Sequence, residues 1–360
     1  MDVAVLGGGH GCYAAAVELS ENGHTVRLWR RDAAALGPVL ETRSIRIKDY
    51  RGERDVRIAT PTTSLKEAIQ GARVVVIPLP ATTQEDLAKE CAPYWQDGQV
   101  VFIPPGTFGS YIFLKAAREA GNKADVTFGE TGTLPYLARK HGPAYVVISG
   151  YGKRLPTGFI PAKNDAYARK TLSEVFPAIE PCEDALSGAL MNAGPIIHPP
   201  LITMNAGPLE HFERWDIHNE GTQPSIRRTT DALDAERMKI REALGYKAPH
   251  FPLADHYAKS GDEWMYGRGA HEKLTDSGDW REDINLTTHR YMLEDLRLGL
   301  SFFSSVGRLA GVATPLVDAF LAIGGAITGR DLYKEGRTLE SLGLGDKSRA
   351  DMSALLKQGL

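Results

Sequence analysis

Val3-Ala4-Val5-Leu6-Gly7-Gly8-Gly9-His10-Gly11-Cys12, at the start of the chain, is a short apolar run that ends in glycines and passes straight into the helix-like stretch 11–21. Strand, glycine turn and helix in this order form a dinucleotide-binding turn. The first glycine, Gly7, makes the tight reversal, and the second, Gly9, lets backbone approach a pyrophosphate. His10, Gly11 and Cys12 open the helix, whose unpaired N–H groups and positive dipole face the anion. Cys12 stands where the fingerprint has Gly or Ala, a departure that loosens helix–strand packing and that Gly11 is placed to offset. At the end of the second strand, 24–29, an Asp or Glu would hold the ribose hydroxyls of NAD. The chain has Trp29-Arg30-Arg31-Asp32 instead. Guanidinium forks in that place suit a 2′-phosphate, so NADP(H) is the expected cofactor. NAD(H) is the alternative, with Arg30 stacked on the adenine and Arg31 turned to solvent.

Working outward, apolar β-branched runs alternate with amphipathic helical stretches as far as about residue 180, the pattern of βαβ units around a parallel sheet. Strands are predicted at 73–80, 99–103, 124–128, 145–149 and 158–161, helices at 64–71 and 84–94, and an inserted hairpin at 44–48 and 55–59. Pro80 closes one strand at its carboxyl end, where doubly wound sheets bind ligands, and joins the candidate cofactor contacts. Beyond residue 180 the pattern is helical only, at 185–192, 201–205, 225–244, 253–260, 291–310 and 315–328, with a polar tail, 337–360, expected to pack late or fray. The predicted fold is α/β: an amino-terminal Rossmann doubly wound sheet, 1–180, followed by an all-helical domain, 181–360.

Composition narrows the function. In 360 residues, 42 Lys+Arg against 45 Asp+Glu give a net charge of −3, which lacks the basic footprint of a nucleic-acid binder. No apolar stretch has membrane-span length and no signal peptide is read, so a cytoplasmic protein is expected. The three cysteines, Cys12, Cys91 and Cys182, are spaced for neither a disulfide framework nor a metal site, and the histidines show no metal-binding spacing. No nucleophile elbow or phosphate-binding Gly-Lys-Ser/Thr occurs.

A reductive dehydrogenase needs a proton donor and acceptor near neutrality, a group that orients it, and a cation for a substrate carboxylate. The residue types are present. His198 lies in Asn192-Ala-Gly-Pro-Ile-Ile-His198-Pro199-Pro200, an apolar segment stiffened by proline, and a second cluster reads His289-Arg290-Tyr291-Met-Leu-Glu294-Asp295. Taken singly, His198 reads as well as a core residue and Arg290–Glu294 as a surface i,i+4 pair. Glu130, in Phe128-Gly129-Glu130-Thr131, reads equally as a loop carboxylate capping a turn and as a site residue.

These segments together resemble the opine dehydrogenase family of octopine/nopaline type. The resemblance rests on the glycine turn, 128–131, Asn192 with His198-Pro199, Glu220-Gly-Thr-Gln-Pro-Ser225, Asp234-Ala-Glu-Arg237, Arg290-Tyr291-x-x-Glu294-Asp295 and Glu335-Gly-Arg-Thr-Leu-Glu340, and spans nearly the whole chain. It implies an active site in the cleft between a Rossmann domain and a helical domain. It also implies roles: His198 as general acid/base, Asp295 as the carboxylate that orients it, and Arg290 as the anchor of a 2-oxo acid carboxylate; Asn192, six residues before the histidine, is a candidate substrate contact by position only, and Glu130 by its place after a strand of the cofactor-binding half. The implied reaction is the NAD(P)H-dependent condensation of a 2-oxo acid with the amino group of an amino acid. Its alternatives are a 2-oxo or 2-hydroxy acid reductase that needs no amine, and a nicotinamide-binding regulator without turnover. Small-molecule substrates are the expected partners, no metal is expected, and the layout is compatible with a homodimer.

Overall fold

The computed structural model describes residues 1–276 and 283–360. It divides into two compact units, Met1–Ala189 together with Leu355–Leu360, and Leu190–Ala354. Among the described residues no helix is long and apolar enough to cross a membrane.

The first unit runs β1 (Asp2–Leu6), α1 (His10–Glu21), β2 (Thr25–Trp29), α2 (Ala33–Thr42), β3 (Ser44–Asp49), β4 (Gly52–Arg57), β5 (Thr60–Thr62), α3 (Leu65–Ile69), β6 (Val74–Val76), α4 (Gln84–Cys91), β7 (Val100–Ile103), α5 (Gly109–Glu119), β8 (Thr127–Thr131), β9 (Tyr136–Gly142), β10 (Tyr145–Tyr151), β11 (Leu155–Ile160), α6 (Asp165–Ser173), β12 (Ile179–Pro181) and α7 (Ala185–Ala189). Eight strands form one sheet in the order β12-β11-β8-β7-β6-β1-β2-β5, parallel from β8 to β5, with β11 antiparallel to β8. Val3, Val5, Val26, Leu28, Val74, Val76, Val100 and Phe102 are all fully buried in it. That is why these strands read as unbroken apolar runs, since both faces are covered. Each such side chain removed from water contributes about 1.5–3 kcal/mol. Strand order reverses at β1, whose neighbours are β2 and β6. The glycine turn after β1 therefore opens at the topological switch point, where open α/β sheets bind ligands.

The segment 44–59 is more than the inserted hairpin expected. β3 and β4 join β10 and β9 in a second sheet, ordered β4-β3-β10-β9, which lies against α1. Enclosed by both sheets, α1 buries Cys12, Tyr13, Ala14, Ala15, Ala16, Val17 and Leu19 completely. The strand expected at 145–149 thus belongs to this second sheet, and β9 was not foreseen. Helix α2 was not expected either; it carries Pro38 inside and starts at Asp32, which accepts from the Ala35 amide at 3.0 Å.

The unit boundary falls after Ala189 rather than at 180. α7 lies against β8 and β11 so closely that a Cβ on Gly158 would fall 1.7 Å from Asp184 O, and one on Gly188 would fall 2.5 Å from Glu130 O. The chain's last residues return to this unit, Arg118 Nε donating to Leu360 O at 3.2 Å.

The second unit is helical: α8 (Gly194–Thr203), α9 (Ala206–His211), α10 (Pro224–Ala243), α11 (Ala254–Tyr257), α12 (Ala270–Asp276), a π-helix (Tyr291–Leu300) running directly into α13 (Ser301–Ala310), α14 (Pro315–Thr328) and the start of α15 (Arg349–Gln358). The expected helix at 201–205 is the end of α8, which contains His198, Pro199 and Pro200, and the expected helix at 291–310 is half π, half α. Carboxylates set the geometry of this unit. Glu236 accepts from the Leu316 and Val317 amides at 2.9 and 3.1 Å, capping α14, and Asp234 holds the buried Arg237 at 2.6 Å and the Leu253 amide at 2.7 Å. The tail is not frayed: Arg337, Leu339, Met352 and Leu356 are buried, and Arg349 Nε donates to Leu309 O at 3.0 Å.

Candidate active site

In the first unit the glycine turn has the form that a dinucleotide needs. Gly7 sits at φ +123°, where a Cβ would fall 2.6 Å from Leu79 Cδ2 and 2.7 Å from Cys12 Sγ. Around Gly9, by contrast, a Cβ would meet nothing within 4 Å, and α1 begins there with no side-chain cap and no acidic residue in its first turn. Open space in front of uncapped N–H groups, over glycine, fits a pyrophosphate. His10 begins the helix and its Nδ1 accepts from the Lys140 amide at 2.8 Å.

Cys12 and the two arginines take different places around the turn. The Cys12 side chain faces the protein, its Sγ 3.6 Å from Leu6 O and 3.7 Å from Pro78 O, and burial pushes its thiol up to about 12. It fills the space between β1 and β6 rather than loosening it, and only its backbone remains a candidate contact. The two arginines are also separated. Arg30 lies across Gly8, where a Cβ would be 2.4 Å from its Cδ, and donates to Ala35 O at 3.1 Å. Arg31 is largely exposed and paired with Glu90 at 2.6 Å, a surface contact worth little. Pro80 follows Leu79, whose side chain lies against Gly7, and its carbonyl accepts from the Thr83 amide at 3.0 Å.

Glu130 sits inside β8, not in a loop, and is fully buried. Its carboxylate accepts from the Phe108 amide at 2.7 Å, the Ser110 amide at 3.2 Å and the Ser110 hydroxyl. Phe108, the N-cap of α5, has a left-handed backbone and no side chain able to cap, so Glu130 does that work from the neighbouring strand. Enclosed in this way, the carboxylate caps α5. Glu130→Ala is expected to lower stability by about 2–4 kcal/mol, from stranding two buried amides, as a drop in urea midpoint at unchanged KM for substrates. An unchanged midpoint with a raised KM would return Glu130 to the substrate contacts.

The second unit brings His198 and Asp295 together. His198 is on α8 and Asp295 on the π-helix, and Nδ1 lies 2.7 Å from Oδ2. The approach requires Gly194, where a Cβ would fall 2.2 Å from Asp295 Oδ1, and Asn192 fixes that turn by accepting from the Gly194 amide at 3.0 Å. Tyr291, which the sequence reading passed over inside its own motif, stacks flat on the imidazole with centroids 3.7 Å apart and planes at 12°. His218 stands edge-on to the same ring at 6.0 Å. Burial pushes the Asp295 carboxyl up to about 7, against the opposing charges of Arg290 and His289. The imidazole of His198, 2.7 Å away, is the partner with which this carboxyl can share a proton.

Arg290 caps the π-helix, its side chain nearly half exposed, 3.9 Å from Glu294 and 5.2 Å from the Tyr291 ring centre. The two carboxylates have separate environments: Glu294 faces Arg290, and Asp295 faces His198. The π-helix is what a helical reading by 3.6-residue period cannot show. Its i→i+5 step is characteristic of functional sites. Among the described residues no group of three or more His, Cys, Asp or Glu is arranged to hold a metal ion.

Comparison with known proteins gives the same two parts. Residues 181–328 match the family model described as NAD/NADP octopine/nopaline dehydrogenase, alpha-helical domain, and residues 2–104 match that of the NAD-dependent glycerol-3-phosphate dehydrogenase N-terminus. The chain is 30% identical to an opine dehydrogenase of Arthrobacter sp. (strain 1C), over 98% of both chains. Among solved structures it is similar in fold to an octopine dehydrogenase in complex with NADH and agmatine, at TM-score 0.73 and 19% identity over 99% of this chain and 98% of that one. It is likewise similar to a yersinopine dehydrogenase bound to NADP+, at TM-score 0.65 and 15% identity over 99% and 98%.

Proposed function

The chain belongs to the opine dehydrogenase family, and from that premise we propose how its residues divide the work of reductive condensation. It is an NAD(P)-dependent oxidoreductase that joins a 2-oxo acid to the amino group of an amino acid, giving a secondary-amine dicarboxylate, and runs the reverse oxidation. The observation that carries the mechanism is the His198–Asp295 contact of 2.7 Å beneath Tyr291.

Condensation loses water and shifts protons before any reduction occurs. With Nδ1 committed to Asp295, His198 presents Nε2 to the substrates. It takes a proton from the ammonium of the amino acid, which frees the amine to add to the oxo carbon. Once the adding nitrogen has passed a proton to the oxo oxygen, His198 returns its own proton to the hydroxyl of the carbinolamine, which leaves as water and yields the protonated imine. Asp295 fixes the ring orientation and stabilises the imidazolium between these transfers. Tyr291, stacked on the ring, holds its plane. Asn192 acts as a positioning residue, since its carbonyl secures the Gly194 turn against which Asp295 rests. When bound, the reduced nicotinamide would supply the hydride that the protonated imine needs to become the secondary amine.

Arg290 anchors the carboxylate of the 2-oxo acid, because a guanidinium presents two parallel N–H donors to a planar anion. Arg290→Lys keeps the charge and loses the fork. Its expected effect is a KM for the 2-oxo acid raised roughly tenfold to a hundredfold, from the loss of one charged hydrogen bond, with the KM for the amino acid nearly unchanged. A rise in the amino-acid KM instead would assign Arg290 to the other substrate. For the cofactor, Arg30 at the end of β2 favours NADP(H), since it stands where an acidic residue would bind the ribose hydroxyls of NAD. Arg31, exposed and paired with Glu90 at the surface, is the weaker candidate for that contact.

A further inference from the structure

The glycine turn has a second cation beside it that comes from the other sheet. Lys140 lies on β9, donates from Nζ to Gly8 O at 3.1 Å, and rests 3.7 Å from the centre of the Tyr13 ring. Arg30 lies along the same Gly8 from β2. Elsewhere in the first unit Arg51 and Arg54 share Glu21 and Asp49 at 2.5–3.2 Å and Arg31 has Glu90, while Arg118 donates to the carbonyls of Asn122 and Ala124. At the turn the acceptors are neutral carbonyls, Ala35 O for Arg30 and Gly8 O for Lys140. Burial and the charge of Arg30 together pull the Lys140 ammonium down to about 8. Two cations held together over a glycine carbonyl repel each other, and a dianionic group between them would reverse the sign of that term.

We propose that Lys140 is, with Arg30, the second cationic ligand of the adenosine 2′-phosphate of NADP(H). The assignment rests on the NADP(H) preference argued above. It favours the 2′-phosphate over the pyrophosphate because Lys140 shares its site with Arg30, at the strand end that holds the ribose, whereas the pyrophosphate faces the amides of α1. The second sheet then has a function: β9 carries Lys140 to the turn, and its backbone is tied there by the bond from Lys140 N to His10.

The test is equilibrium binding of 2′,5′-ADP and 5′-ADP, and of NADPH and NADH, to the full chain by titration calorimetry, for the wild type and for R30A, K140M and K140R. Met preserves the apolar stem over Tyr13 and removes the charge; Arg restores it. K140M is expected to weaken 2′,5′-ADP and NADPH by roughly tenfold or more, with 5′-ADP and NADH changed by less than about twofold, and K140R to recover most of the loss. Equal weakening of all four ligands would place Lys140 at the pyrophosphate and overturn the assignment. A wild-type preference for 2′,5′-ADP that R30A abolishes and K140M leaves intact would overturn it while sparing the NADP(H) reading. No wild-type preference at all would overturn both.

Discussion

His198→Ala is expected to lower the turnover of the condensation by roughly two to four orders of magnitude, with cofactor affinity nearly unchanged. The size follows from what the residue does. Both the deprotonation of the amine and the departure of the carbinolamine hydroxyl pass through one imidazole, and general acid–base catalysis by a positioned side chain contributes about 10²–10⁴. The variant's cofactor affinity is the control, because the glycine turn and Arg30 belong to the other unit. An alanine also leaves Asp295 buried beside an empty position, so a parallel His198→Gln variant separates lost chemistry from lost packing. Turnover within about threefold of wild type in both variants would make His198 a structural residue.

Asp295→Asn is expected to cost roughly 10²–10⁴ in turnover as well, for a different reason. The amide keeps the shape, but its nitrogen donates to Nδ1 and so selects the opposite tautomer, leaving Nε2 protonated and unable to accept from the ammonium. A second readout separates this from misfolding. Burial raises the folded Asp295 to about 7, above the roughly 3.9 of an unfolded aspartate. Between those values the native chain holds a proton that the unfolded chain has released, so the contribution of this group to stability is complete below about pH 4 and is lost as pH rises through about 7. The Asn variant lacks that term. The Tm of the wild type relative to Asp295→Asn should therefore fall between pH 5 and pH 8. Parallel curves would mean that the carboxyl is not raised by burial, and the proton-sharing role would go with it.

How much of this was legible depended on whether the signal was local. The glycine turn was, because a strand, a φ-positive glycine and an uncapped helix start are written within ten residues, and the structure places Gly7 at φ +123° and leaves open space at Gly9. The helical second half was legible for the same reason, as 3.6-residue periodicity with Pro and Gly breaks. What escaped was non-local or contrary to local rules. β9 reads Tyr-Leu-Ala-Arg-Lys-His-Gly and carries three basic residues in a row, so nothing marked it as a strand covering α1, and with it Lys140 escaped notice. The Tyr291 stack, the π-helix and the need for Gly194 come from packing between α8 and residues about a hundred positions later. Glu130 stands out by its residue type, yet its partners, Phe108 and Ser110, lie on a different element, and their amides with the Ser110 hydroxyl explain why a carboxylate is tolerated inside the sheet. Asp234, Glu236 and Arg237 show the same thing from the other side, as a conspicuous charged motif that holds helices in place.

The most direct measurement is the initial rate of NADPH and NADH oxidation with pyruvate, 2-oxoglutarate or oxaloacetate, each with and without a panel of amino acids. Oxidation that requires both an oxo acid and an amine, and that is faster with NADPH, is the expected result. Oxidation at full rate by an oxo acid alone would contradict the condensation and make the chain an oxo-acid reductase.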